Sequence, residues 1–130
     1  MASYCGVIHR MRYTFDPLIG DYYEWNHNGE IHCFHEDTIE ELLWPDFKDW
    51  FEANYEEKNN QNDLTIWENA KEKYWNKFLI DEEPFIIELF DDLAHDTEIT
   101  LGHDSKKYEE IEGLSVEYHS DFGYIYDNFI

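Results

Sequence analysis

Apolar residues alternate with polar ones toward both ends of this chain and recur at every third or fourth position through its middle. Alternation predicts strands, and the longer spacing predicts amphipathic helices. Residues 5–15 (CGVIHRMRYTF) alternate loosely and predict one strand. Val7, His9, Met11, Tyr13 and Phe15 fall on one face, Ile8, Arg10 and Arg12 on the other, and Asp16-Pro17 ends the run. Residues 21–36 predict a hairpin around Asn28-Gly29, a pair suited to the positive φ angles of a type I′ turn. That register sets Trp25 across from His32 and Tyr23 across from Phe34 on one face. Glu24 then lies opposite Cys33, and Tyr22 opposite His35, on the other. Both faces carry apolar groups, so both are expected to be at least partly covered.

Thr38 followed by Glu41 is a capping-box pattern that starts a helix. On it Leu43, Phe47, Trp50, Phe51 and Tyr55 share one face, and Asp49, Glu52 and Glu56 line the opposite one. Pro45 predicts a split, with one helix over 39–44 and another opening at the proline. The polar run 59–62 is a break, and Asp63 can cap a helix over 64–79 that turns Trp67, Ala70, Tyr74 and Phe78 inward. Pro84 suits the first turn of a further helix, with Asp81, Glu82 and Glu83 at its positive end. There Phe85, Ile86, Leu89, Phe90 and Leu93 form the inner stripe, and Glu88, Asp91 and Asp92 point outward; a buried strand over 85–90 is the competing pattern. Residues 97–101 (TEITL) suit a short strand ended by Gly102, and 104–112 a helical turn closed by Gly113. Residues 115–119 and 123–129 predict a closing hairpin, with Tyr124 and Tyr126 on one side and Ile125 on the other.

No repeat or linker interrupts the 130 residues, which predict a single domain over 1–130. The fold class is α+β, an antiparallel sheet from N-terminal strands and a C-terminal hairpin. Three to four helices lie between them and pack on one face.

Composition changes this picture through charge. Thirty-one acids face nine bases, a net charge of −22, while a 42% hydrophobic and 18% aromatic content argues for a folded chain. Residues 1–15 hold Arg10 and Arg12 and no acid, so the rest of the chain is more acidic still. Such a surface repels nucleic acid and anionic membranes and is attracted to cationic proteins. Plain solubility or salt adaptation is the competing explanation, but salt adaptation sits poorly with so many large aromatic residues. Cys5 and Cys33 are the two cysteines, no hydrophobic leader precedes Cys5, and no apolar run is long enough for a membrane span. A cytoplasmic location with reduced thiols is expected (the host cell cytoplasm, for a phage-encoded protein), a Cys5–Cys33 disulfide being the lesser alternative.

His32-Cys33-Phe34-His35-Glu36 is dense in ligand types, but on a strand His32 points away from both Cys33 and His35, so convergence on zinc is not expected. Glu24-x-Asn26-x-Asn28-Gly29 resembles a calcium loop superficially, yet it opens on Glu and has His35 where the bidentate Glu belongs. His95-Asp96-Thr97 and His103-Asp104-Ser105 resemble the paired triplets of two-histidine phosphoesterases, but they lie too close in sequence and in surroundings that repel a phosphodiester. No motif joins Cys5 or Cys33 to a histidine, and paired carboxylates mean little in a chain this acidic. The expectation is therefore no catalytic residue, no metal and no cofactor.

The acidic rows remain. Asp49, Glu52 and Glu56, then Glu88, Asp91 and Asp92, form rows with carboxylates about one helical turn apart, and more acid lies around Glu109, Glu110 and Glu112. Repeated rows of that kind imitate the charge of a nucleic-acid backbone. In size and charge the chain resembles the small acidic inhibitors of phages and mobile elements that occupy DNA-binding grooves. That resemblance implies a DNA-mimic-like, anti-restriction or anti-CRISPR role and transfers no individual residues. The expected partner is the basic surface of a nuclease or other nucleic-acid-binding protein. Direct nucleic-acid or membrane contact is not expected, and a homodimer is one allowed state. An immunity protein against a basic nuclease toxin is the alternative, and a small enzyme the third reading.

Overall fold

The computed structural model describes residues 4–5, 10–55, 64–102, 109–111 and 114–128. Strands β1 (Tyr4–Cys5), β2 (Met11–Asp16), β3 (Gly20–His27) and β4 (Glu30–His35) precede helices α1 (Glu36–Asn54), α2 (Leu64–Asp81) and α3 (Glu83–Thr100). Strands β5 (Glu109–Ile111), β6 (Leu114–His119) and β7 (Gly123–Asn128) follow, completing one sheet ordered β1-β2-β3-β4-β7-β6-β5. The class is α+β, with the helices against one sheet face. The sheet is mixed, however: β4 and β7 run parallel, while every other neighbouring pair is antiparallel. Each hairpin is local and hence antiparallel, but the join between the two halves of the sheet follows a crossover through three helices, which permits parallel pairing.

The β3–β4 hairpin has the register its turn chemistry dictates. Trp25 pairs with His32, Tyr23 with Phe34, Glu24 with Cys33 and Tyr22 with His35, and Asn28 and Gly29 have φ of 54° and 83°. Gly123 is required for a different reason. Its φ is 79°, and a Cβ there would lie 2.2 Å from the Ile31 carbonyl oxygen, so only glycine lets β7 approach β4 this closely.

Several expectations are corrected. Residues 5–15 are not one strand: Arg10 sits in a turn at φ 76°, and β1 folds back onto β2. Helix α1 starts two residues before Thr38, directly out of β4, and the His35 imidazole accepts from the Asp37 N–H at 3.2 Å. Thr38 is instead buried, its hydroxyl without a partner among the described residues. Pro45 does not divide α1. An interior proline costs about 3 kcal/mol, and here an unbroken aromatic stripe offsets it: Leu43, Phe47, Trp50 and Phe51 are all buried. Residues 85–90 are helical, and Phe85 is exposed rather than inward. Residues 97–100 continue α3 instead of forming a strand, while 109–111 form strand β5 rather than a helical turn. Asp63, Glu56, Glu112 and Gly113 lie outside the described residues.

The main core fills the space between sheet and helices and is unusually aromatic. Phe34 stacks on Phe90 and on Tyr126 at centroid distances of 4.7 and 4.1 Å, and Trp25 meets Phe90 edge-on at 5.3 Å. Across the α1–α2 interface Phe47 touches both Trp75 and Phe78. The opposite sheet face buries a small cluster of Ile19, Tyr22 and Cys33 under Phe122. Its Cys33 Sγ–H donates to the Phe122 carbonyl at 3.4 Å. No helix among the described residues is long and apolar enough to cross a membrane.

Candidate functional sites

Charge is unevenly divided among the helices. Helix α1 carries seven carboxylates and one lysine, α3 six carboxylates and no basic residue other than His95, whereas α2 balances three acids with Lys71, Lys73 and Lys77. Asp49 and Glu52 on α1, with Glu88 and Asp92 on α3, are exposed and make no ion pair among the described residues. Burial, aided by repulsion from Asp49 one turn away, raises the pKa of Asp46 on the same helix. Glu56 and Glu112 lie outside the described residues, and Glu109 and Glu110 are on strand β5.

Asp91 departs from its expected row. It is turned toward the sheet, where the Arg10 guanidinium grips it with two bonds of 3.0 Å and the Trp25 indole N–H donates a third at 3.0 Å. The Arg10 guanidinium also lies over the Trp25 ring, 4.5 Å from its centroid. Burial pushes the Asp91 carboxyl up, but the bonds from Arg10 and Trp25 outweigh it, and the pKa settles below its ordinary value. Asp91 is thus a structural tie between α3 and the β-hairpins.

Between α1 and α2 runs a groove of about 390 Å³, lined by Asp37, Glu40, Glu41, Trp44, Glu68 and Lys71 among others. Lys71 Nζ bonds Glu40 at 2.8 Å, which raises its pKa. Four carboxylates around an indole suit an incoming cationic side chain, since both charge and the ring face attract it.

A third constellation has no counterpart among the sequence motifs. His27 and His32 lie on the helix-covered face of β3 and β4; His27 pairs with Glu30, so His32 is its diagonal neighbour across the hairpin. Glu98, two turns beyond Asp91 on α3, reaches both imidazoles: its Oε2 lies 2.7 Å from His32 Nε2 and 3.2 Å from His27 Nδ1. The other nitrogen of His32, Nδ1, meets the buried Tyr126 hydroxyl at 2.8 Å, and the His32 ring stacks on Tyr124. Burial dominates the His32 titration and lowers its pKa, keeping the ring neutral, while hydrogen bonds from His32 and His27 overcome burial to lower that of Glu98. His95, exposed on α3, has its ring 6.2 Å from that of His27.

His32 and Cys33 point to opposite faces, and His35 caps α1. Glu24 pairs with Arg12 on the sheet rather than opening a cation loop. His95-Asp96-Thr97 lies on a helix, and His103-Asp104-Ser105 lies outside the described residues. The thiol of Cys33 is pushed up to about 12, by burial first and by Glu24 and Asp16 next, so it is no nucleophile at neutral pH. Compared with protein-family models, curated proteins and solved structures, the chain matches none significantly.

Proposed function

We propose that this protein is a non-enzymatic, acidic inhibitor that binds the basic, nucleic-acid-binding surface of another protein in the manner of a DNA mimic. One observation carries it: α1 and α3 concentrate carboxylates with almost no compensating base, and Asp49, Glu52, Glu88 and Asp92 stand exposed and unpaired among the described residues. Arginine and lysine of a partner would meet these groups through charge-assisted bonds. The α1–α2 groove, with half-buried Trp44 among four carboxylates, offers an aromatic anchor beside the charge.

Affinity capture from bacterial lysate at low salt, eluted by a salt gradient and challenged with duplex DNA, tests this. The retained protein should be basic, should elute early in the gradient and should be displaced by DNA. Asp49→Lys with Glu52→Lys, extended to Glu88→Lys and Asp92→Lys, should abolish capture while leaving the circular dichroism spectrum unchanged. A captured protein indifferent to both salt and DNA, or undiminished capture by the four-site variant, overturns the mimic.

A further inference from the structure

We propose that His27 Nδ1, His32 Nε2 and Glu98 Oε2 are protein ligands of one divalent transition-metal ion of the zinc class, held between the β3–β4 hairpin and the C-terminal half of α3. Each of the three residues offers a ligand atom within 4.8 Å of those of the other two. A tetrahedral zinc ion with bonds of about 2.0–2.2 Å sets its ligand atoms about 3.4 Å apart. The His27–Glu98 separation of 3.2 Å is already close to that, and the His32–Glu98 separation of 2.7 Å must open by less than an ångström.

Donor chemistry selects the class of ion. Two imidazoles and one carboxylate suit zinc and its neighbours, whereas magnesium and calcium take oxygen ligands almost throughout. Three protein ligands also leave a position for water or for His95, which stands beside His27 on the same helix as Glu98. Local charge points the same way. Glu98 is bonded by two imidazoles, and among the described residues no lysine or arginine reaches it, unlike Asp91 seven residues earlier.

The surroundings are arranged as a ligand sphere requires. With the ion on Nε2, the His32 Nδ1–H donates to the Tyr126 oxygen. The Tyr126 hydroxyl is then free to donate onward to the Leu93 carbonyl, 3.5 Å away. That chain fixes the imidazole tautomer and ring plane, as outer partners of metal-bound histidines generally do. His32 is completely buried, while His27 and Glu98 keep side-chain exposures of 15% and 17%, which leaves an approach from solvent.

The competing explanation is a purely hydrogen-bonded His–Glu–His cluster, and metal-stripped, tag-free protein distinguishes the two. Zinc is titrated against a chromophoric chelator in excess magnesium, which saturates diffuse binding to the acidic surface. One zinc per chain should bind, with a thermal stabilisation that magnesium alone does not give. Glu98→Gln and His27→Ala, both at the rim and both expected to fold, should weaken binding by more than about 100-fold. Tyr126→Phe, which touches only the outer bond, should weaken it by about 10–100-fold. Glu72→Lys, exposed on α2, should leave it unchanged. Cobalt should give the intense absorption of a four-coordinate ion, lost in Glu98→Gln. Zinc stabilising no more than magnesium, a weak six-coordinate cobalt spectrum, or equal affinity in Glu98→Gln overturns the site. Failure here leaves the partner-binding proposal untouched, because none of the three ligands belongs to the exposed acidic rows.

Discussion

Asp91 and Glu98 stand seven residues apart on one helix, and both turn toward the sheet to bond strand β3. Their surroundings differ in one respect. Asp91 meets a full positive charge, the Arg10 guanidinium, together with the Trp25 indole; Glu98, among the described residues, meets two imidazoles. The first end of α3 is electrically closed, and the second holds a carboxylate bonded by imidazoles. The difference teaches that a carboxylate bonded to the core is not by itself a site. What distinguishes Glu98 is that, among the described residues, it is bonded by two metal-competent donors and by no lysine or arginine.

The largest break in this comparison should come from His32→Ala. It removes a fully buried ring stacked on Tyr124 and strips the Tyr126 hydroxyl and Glu98 of a partner. Urea denaturation of metal-free protein should show a loss of about 3 kcal/mol or more. Asp91→Ala should cost less, about 1–2 kcal/mol, because Arg10 and Asp91 remain 36% and 33% exposed and solvent screens the pair. The neutral isosteres sharpen the contrast. Asp91→Asn should lose about 1 kcal/mol and Glu98→Gln less than that without metal, since only the first loses a charged partner. A greater loss in Glu98→Gln would mean that a protonated imidazole already balances Glu98.

Acid should separate the two ends in order. His32 has its folded pKa lowered below the ordinary 6.5, so its stabilising contribution is complete above that value and is lost as pH falls through the folded one. Asp91 is lowered below 3.8, and its contribution persists to more acidic conditions before it too is lost. Glu36, raised chiefly by burial, works in the opposite sense and favours the folded state as it protonates. Followed by NMR, the His32 ring signals should shift before the Trp25 indole N–H does. Simultaneous loss of both would remove the distinction. Smallest of all, Asp92→Lys on the outer face of α3 should change stability by no more than about 0.5 kcal/mol.

Half of the histidine pair was legible. Once Asn28-Gly29 sets Trp25 opposite His32, His27 must share that face, because it lies two residues beyond Trp25 on the same strand. Glu98 was not legible. The run TEITL alternates like a strand, and only packing of Phe90, Leu93 and Ala94 against the sheet extends the helix through it. The Arg10–Asp91 tie was hidden for a related reason: a left-handed φ at an arginine has no sequence signature, so Arg10 seemed to lie on an uninterrupted strand. Pro45 misled in the other direction, since helix propensity is a local quantity and the aromatic stripe that overrides it is a tertiary one. The β3–β4 and β6–β7 hairpins and the inward face of α1 could be read directly, because in them period and turn chemistry agree, whereas on α2 the buried Trp75 and Leu79 escaped the reading.

The parallel contact between β4 and β7 also has a kinetic consequence. It joins residues about ninety positions apart, whereas the other strand pairs zip up locally, so closing the sheet carries most of the chain-ordering penalty. His32 is itself aligned with Tyr124 across that seam, and Tyr126 one step further supplies its bond. The buried half of the histidine–carboxylate cluster therefore assembles only when the two half-sheets meet. An ion bound there would act as a clasp on the slowest step of folding, retarding unfolding more than it accelerates refolding.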